Sequence, residues 1–236
     1  MNQGLFNGYG DEMLAGFGLT VSVAAGAMAL AVLFGLLGAG GKLSANPLLR
    51  GLAALYTTLV RGIPELVLII VLYYGVPTLV QGAIHGVAPD YRLDFNPYVT
   101  GVSVLGMIYG AFATEVFRGA FLAVPRGELE AGRAFGMSPR QVFWRIHLPQ
   151  IWRFALPGLG NVWMVLVKAT ALVSVIQLQE LMFWSKRAGE ATREPFTFLI
   201  VAAAAYLLLT FISERGLAVL EARASVAVRP LSRGAV

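Results

Sequence analysis

The 236-residue chain contains no cysteine and only two histidines, His85 and His147. No disulfide framework and no thiolate metal site is available to it. Two imidazoles so far apart in sequence suggest no metal centre. Charge is scarce as well: Asp, Glu, Lys and Arg make up 13% of residues, about half the share of a water-soluble domain. With 57% of residues hydrophobic, there is too little polar surface to cover a globule in water, and the natural solvent is a bilayer. A net charge of +5 would suit nucleic acid, but the basic residues lie between apolar runs. That arrangement fits membrane topology and argues against a nucleic-acid partner. No secretory leader is expected, because Asp11 and Glu12 stand where its basic region would be and the apolar run that follows is too long.

Five apolar segments reach the roughly 20 residues a helix needs to cross a bilayer: 13–38, 53–80, 97–124, 154–178 and 196–217. Barrel strands would alternate apolar and polar residues; these runs are continuous. The sequence predicts an all-α membrane protein, a single five-helix transmembrane bundle. Small residues recur every fourth position, as Gly18, Ser22 and Gly26 in the first span and Gly106, Gly110 and Thr114 in the third. Such stripes let helix backbones approach closely. No internal repeat is visible.

Lys and Arg concentrate on one side of this bundle. Lys42 and Arg50 follow the first span. Arg126, Arg133, Arg140, Arg145 and Arg153 follow the third, and Arg223, Arg229 and Arg233 follow the fifth. The other side holds Asp11 and Glu12, then Asp90, Arg92 and Asp94, then a mixed stretch from Glu180 to Glu194. The positive-inside rule places the N-terminus outside and the C-terminus in the cytoplasm.

The loop 125–150 reads PRGELEAGRAFGMSPRQVFWRIHLPQ. It predicts a short helix from Glu128 to Phe135, ended by Gly136 in the left-handed conformation. Ser138, Pro139 and Gln141 make a capping box with Pro at the first helical position. The second helix is expected to run to about His147 and to be closed by Pro149. Val142, Phe143 and Ile146 give it an apolar stripe flanked by Arg140 and Arg145. Two readings fit this elbow: a helix that docks in a groove of a partner protein, or an amphipathic segment lying on the lipid headgroups.

Glu130-Ala131-Gly132, Gly136, Ile146, Leu148 and Pro149 stand at the spacing of the EAA loop, and on these residues the chain resembles the permease subunits of bacterial ATP-binding-cassette importers. Gly132 replaces the usual Ala. The resemblance extends to Arg61-Gly62-Ile63-Pro64 with Tyr73-Tyr74-Gly75, to Glu115, Arg118 and Gly119, and to Asn161 and the segment from Lys168 to Val175. These are similar to blocks of polar amino acid permeases. The segment from Gly38 to Ser44 resembles the Q-type subunits of importers of histidine, lysine, arginine, ornithine and opines. The resemblance implies a type I importer permease fold in the bacterial inner membrane. It further implies a second, related permease subunit, two ATPase subunits and a periplasmic solute-binding protein as partners. Glu130, Ala131, Gly136, Ile146, Leu148 and Pro149 would then couple to the ATPase.

No energy source is visible in the chain itself. The segment from Gly35 to Lys42 has a spacing one residue too long for a phosphate-binding loop, and Leu43 stands where a Ser or Thr would hold magnesium. No cofactor is expected here, and ATP with its magnesium belongs to the partner ATPase. Nor is an intramembrane enzyme expected, since no Ser/His pair, Asp pair or metal cluster is evident. A stand-alone ion-coupled transporter or channel is the rival reading; its folds often carry inverted repeats.

Charge inside a membrane usually has a job or a partner. The residues concerned are Arg61, Glu65, Glu115, Arg118 and Lys168. Glu65 follows Gly62 and Pro64, which weaken a helix and free backbone carbonyls. A carboxylate there suits the ammonium or guanidinium of a basic substrate, or it pairs internally with Arg61. Lys168 would hold a substrate carboxylate or pair with Glu115. Tyr73, Tyr74 and Tyr109 are candidates for the path or for interfacial anchors.

Overall fold

The computed structural model describes residues 8–85 and 96–225. Asp90, Arg92, Asp94, Arg229 and Arg233 lie outside the described residues. Ten α-helical segments follow in order: α1 Gly10–Lys42, α2 Pro47–Gly62, α3 Glu65–Ile70, α4 Val76–His85, α5 Pro97–Ala123, α6 Arg126–Ala134, α7 Pro139–Val142, α8 Leu148–Ala169, α9 Leu181–Thr192 and α10 Pro195–Ser225. No strand occurs among the described residues. Five stretches are long and apolar enough to cross a membrane: Gly10–Lys42, Glu65–Gly82, Pro97–Ala123, Pro139–Ile176 and Pro195–Ala224.

Two of these differ from the helices the sequence suggests. The segment 53–80 is not one helix. Ile63 is extended (φ −107°, ψ 138°) and so is Pro64, because the proline ring excludes helical geometry from the residue before it. Helix α2 therefore ends at Gly62 and a new helix starts at Glu65. In the elbow the opposite holds. Pro149 does not close the second helix; α7 runs through a π turn, Phe143–His147, directly into α8. A proline inside an α-helix lacks the N–H for the i−4 bond and collides with that carbonyl. The widened turn absorbs this, with the Leu148 N–H bonded to the Phe143 carbonyl.

The centre of the bundle is the contact between α1 and α5, made possible by glycine. A Cβ on Gly35 would lie 2.7 Å from that of Ala113, one on Gly106 2.5 Å from that of Leu30, and one on Gly110 2.6 Å from that of Phe34. Gly38 meets the Thr114 side chain in the same way. Close backbone approach of this kind takes the place of a hydrophobic drive between helices in lipid. The stripe on α5 is the expected one. That on α1 is partly different: Gly26 packs on Val102 and Ser22 bonds Tyr98, but Gly18 has open space around it. The buried face of α1 runs through Gly16, Thr20, Ala24, Ala27 and Ala31 instead.

Candidate transport path and coupling elbow

The break at Ile63-Pro64 puts Glu65 in the first turn of α3, where a carboxylate is favoured by the helix dipole. Its two oxygens accept from the Tyr109 hydroxyl, each at 3.1 Å. Tyr109 is almost fully buried in the core of α5, so it is no interfacial anchor. Arg61 does not pair with Glu65. Its guanidinium lies 5.3 Å from the centre of the Phe112 ring, within cation–π range. Tyr109 and Phe112 are one turn apart on α5, with ring centres 5.8 Å from each other. Acid and base are thus held side by side on one aromatic face without neutralising each other. Tyr73 sits in a π turn, Val71–Gly75, half-buried against the core and edge-on to Tyr74.

Glu115 and Lys168 do not meet. Glu115 bonds Lys42 at the end of α1 and the Arg118 Nε at 2.9 Å. The reason is register. Gly158 of α8 packs on Val116, next to Glu115, and Lys168 lies ten residues further along α8, about 15 Å away at the helical rise. Lys168 is exposed in the last turn of α8.

The elbow forms from local signals. Gly136 has φ +78°, a conformation that a Cβ disfavours. The Ser138 hydroxyl accepts from the Gln141 N–H at 3.4 Å, and the Gln141 side chain accepts from the Ser138 N–H at 2.8 Å. Gly132 is buried, and a Cβ there would come within 2.5 Å of the Ile146 Cδ1. The departure from Ala at this position therefore seats Ile146 and closes α6 onto the second arm. Gln150 bonds Glu128 across the elbow. Glu130, Ala131 and Pro149 are exposed, and Leu148 is half-buried. Phe135 is 89% exposed and Trp144 65%, so the elbow carries an unpartnered aromatic surface. His147 lies edge-on to Phe121 and Phe143, which is a packing role.

One polar centre is absent from the sequence reading. Glu180 is fully buried. It caps α9 through the N–H groups of Met182 and Phe183, at 2.9 and 2.8 Å. It also accepts from the Tyr206 hydroxyl at 2.9 Å and the Thr20 hydroxyl at 3.3 Å. Burial pushes its carboxyl up from the ordinary range, and these hydrogen bonds oppose that rise. The acid directly before an apolar helix start was the available signal.

Residues 31–226 match the family model described as binding-protein-dependent transport system inner membrane component. The histidine/lysine/arginine/ornithine transport system permease protein HisQ of Escherichia coli K12 is 45% identical over 222 residues, covering 94% of this chain and 97% of the relative. The octopine transport system permease protein OccQ of Rhizobium meliloti is 43% identical over 228 residues, covering 97% and 95%. Among solved structures, an amino acid ABC transporter crystallised with histidines superposes with a TM-score of 0.78 at 29% identity, covering 91% of this chain and 95% of that one. The broken second span, the capped elbow and the glycine-packed bundle are therefore the parts of a multi-pass inner membrane permease, and the chain belongs to the binding-protein-dependent transport system inner membrane component family.

Proposed function

We propose that the chain forms half of the pore of an importer for basic amino acids or opines, with its N-terminus outside and its C-terminus in the cytoplasm. The observation that carries this reading is the Glu65 carboxylate, held by a buried tyrosine at a helix break and without a salt-bridge partner among the described residues. Broken helix at membrane depth is tolerated where it lines a cavity. An acid fixed there is complementary to an ammonium or guanidinium, the group shared by the solutes named for HisQ and OccQ. Arg61, beside it on the same aromatic face, would meet the carboxylate end of the substrate. Tyr73 lines the route. Glu115 braces α1 against α5 near its inner end, and Lys168 offers a charge at the far end of α8.

The elbow then seats in an ATPase subunit. Glu130 and Ala131 present the face of α6, Gly136 sets the bend, and Ile146, Leu148 and Pro149 join the second arm to the span. The remaining partners are a second, related permease subunit, a second ATPase and a periplasmic solute-binding protein. The permease itself holds no cofactor; ATP and magnesium act on the partner. Closing of the ATPases would move the elbows together and tilt each bundle as a rigid body, giving alternating access. Uptake of labelled arginine into vesicles holding the complete assembly should require internal ATP and the binding protein. Uptake driven by an ion gradient alone, with no ATPase present, would overturn the proposal.

A further inference from the structure

Helices α8 and α10 leave two openings that share Leu156. The first, of about 410 Å³, is an almost wholly apolar groove lined by Met28, Val32, Leu156, Trp163, Gly216 and Leu220 among others. The second, of about 430 Å³, lies at the elbow end and holds the side chains of Arg153 and Glu221. Both residues are half-buried. They do not pair with each other: the ion pairs among the described residues are Lys42–Glu115 and Arg118–Glu115. Glu221 leans into the groove, its Oε1 within 3.8 Å of where a Cβ on Gly160 would sit. Neither residue has a salt-bridge partner among the described residues, and a half-buried charge at the edge of an apolar groove gains from one.

We infer that the paired openings form a site for one phospholipid with a zwitterionic, primary-amine headgroup, that is, phosphatidylethanolamine. The acyl chain lies along the groove. Arg153 takes the phosphate, for which a guanidinium fork is suited, and Glu221 accepts from the ammonium. The charge pattern selects this headgroup. Phosphatidylcholine has no N–H for the carboxylate, and phosphatidylglycerol, its phosphate on Arg153, offers Glu221 no cation. Exposed Trp152, on the rim of the groove, suits the headgroup level of a bilayer. A second protein helix in the groove would leave Arg153 and Glu221 to be matched by a reversed pair of its own.

The test is native mass spectrometry of the assembled importer from bilayers containing equal phosphatidylethanolamine, phosphatidylcholine and phosphatidylglycerol. One phosphatidylethanolamine per chain should be retained. Glu221→Gln, which keeps shape and removes charge, should lower its retention relative to phosphatidylcholine about tenfold. Arg153→Gln should weaken retention of all three classes. Gly216→Leu should empty the site with the complex intact, because a Cβ at Gly216 meets nothing within 4 Å. An unchanged preference in Glu221→Gln, or phosphatidylglycerol held as well as phosphatidylethanolamine, would refute the site. So would a disulfide between Gly216→Cys and a cysteine placed in another subunit. None of these outcomes bears on ATP-dependent uptake, so this inference and the transport reading stand or fall separately.

Discussion

At Glu65 the side chain matters through its charge, and at Gly136 the missing side chain matters through the backbone. Glu65→Leu removes the acceptor of the Tyr109 hydroxyl and its negative charge. Uptake of arginine or lysine is expected to fall tenfold or more, as follows from losing about one charge-assisted bond; uptake unchanged in a transport assay would withdraw the carboxylate from the path. Gly136→Val forces a β-branched residue to φ +78°, at about 1–2 kcal/mol. It should release the ATPase in co-purification, whereas Gly136→Asn, which tolerates that conformation, should retain it. Equal loss in both variants would point to the glycine's size and not its backbone. The sequence showed Gly136 and the Ser138 cap plainly, because both are local signals. It left open whether Glu65 pairs with Arg61, because the groups that separate them, Tyr109 and Phe112, are more than 40 residues away.

Among the elements, α9 packs Leu181 and Ala188 into the bundle and is tied to two spans by one carboxylate. Glu180 joins the start of α9 to Thr20 of α1 and Tyr206 of α10. Glu180→Ala removes the cap and one acceptor from each hydroxyl, Thr20 keeping the Gly16 carbonyl and Tyr206 the Thr170 hydroxyl, and a loss of about 1–2 kcal/mol follows. It should appear as a lowered thermal midpoint of the purified protein, with Glu180→Gln losing less. A midpoint equal to that of the parent would show that packing alone seats α9. The continuous run from Pro139 to Ile176 teaches a related lesson. Pro149 reads as a stop from sequence, but a single π turn lets the helix pass it. The elbow is thereby built rigidly onto a span, which suits transmission of a movement from one to the other.

For the whole molecule the decisive feature is the α1–α5 seam. Gly38→Leu drives a side chain into Thr114 and should abolish folded protein in the membrane fraction. Gly18→Leu, on a face with nothing within 4 Å, should be accepted. If both variants accumulate alike, as judged by quantitative blotting of membranes, the seam is not what holds the bundle. Composition and the length of the apolar runs determined the solvent, the helical class and the number of spans, since a bilayer leaves the backbone few alternatives. Local turn chemistry determined the bend of the elbow at Gly136 and Ser138, but not the passage of its second arm into α8. Which glycines touch, where Glu115 finds its cations, and that Glu180 is an internal anchor were decided only by tertiary structure. These depend on the register between helices distant in sequence, and a helix's own periodicity marks its faces without saying which neighbour each face will meet.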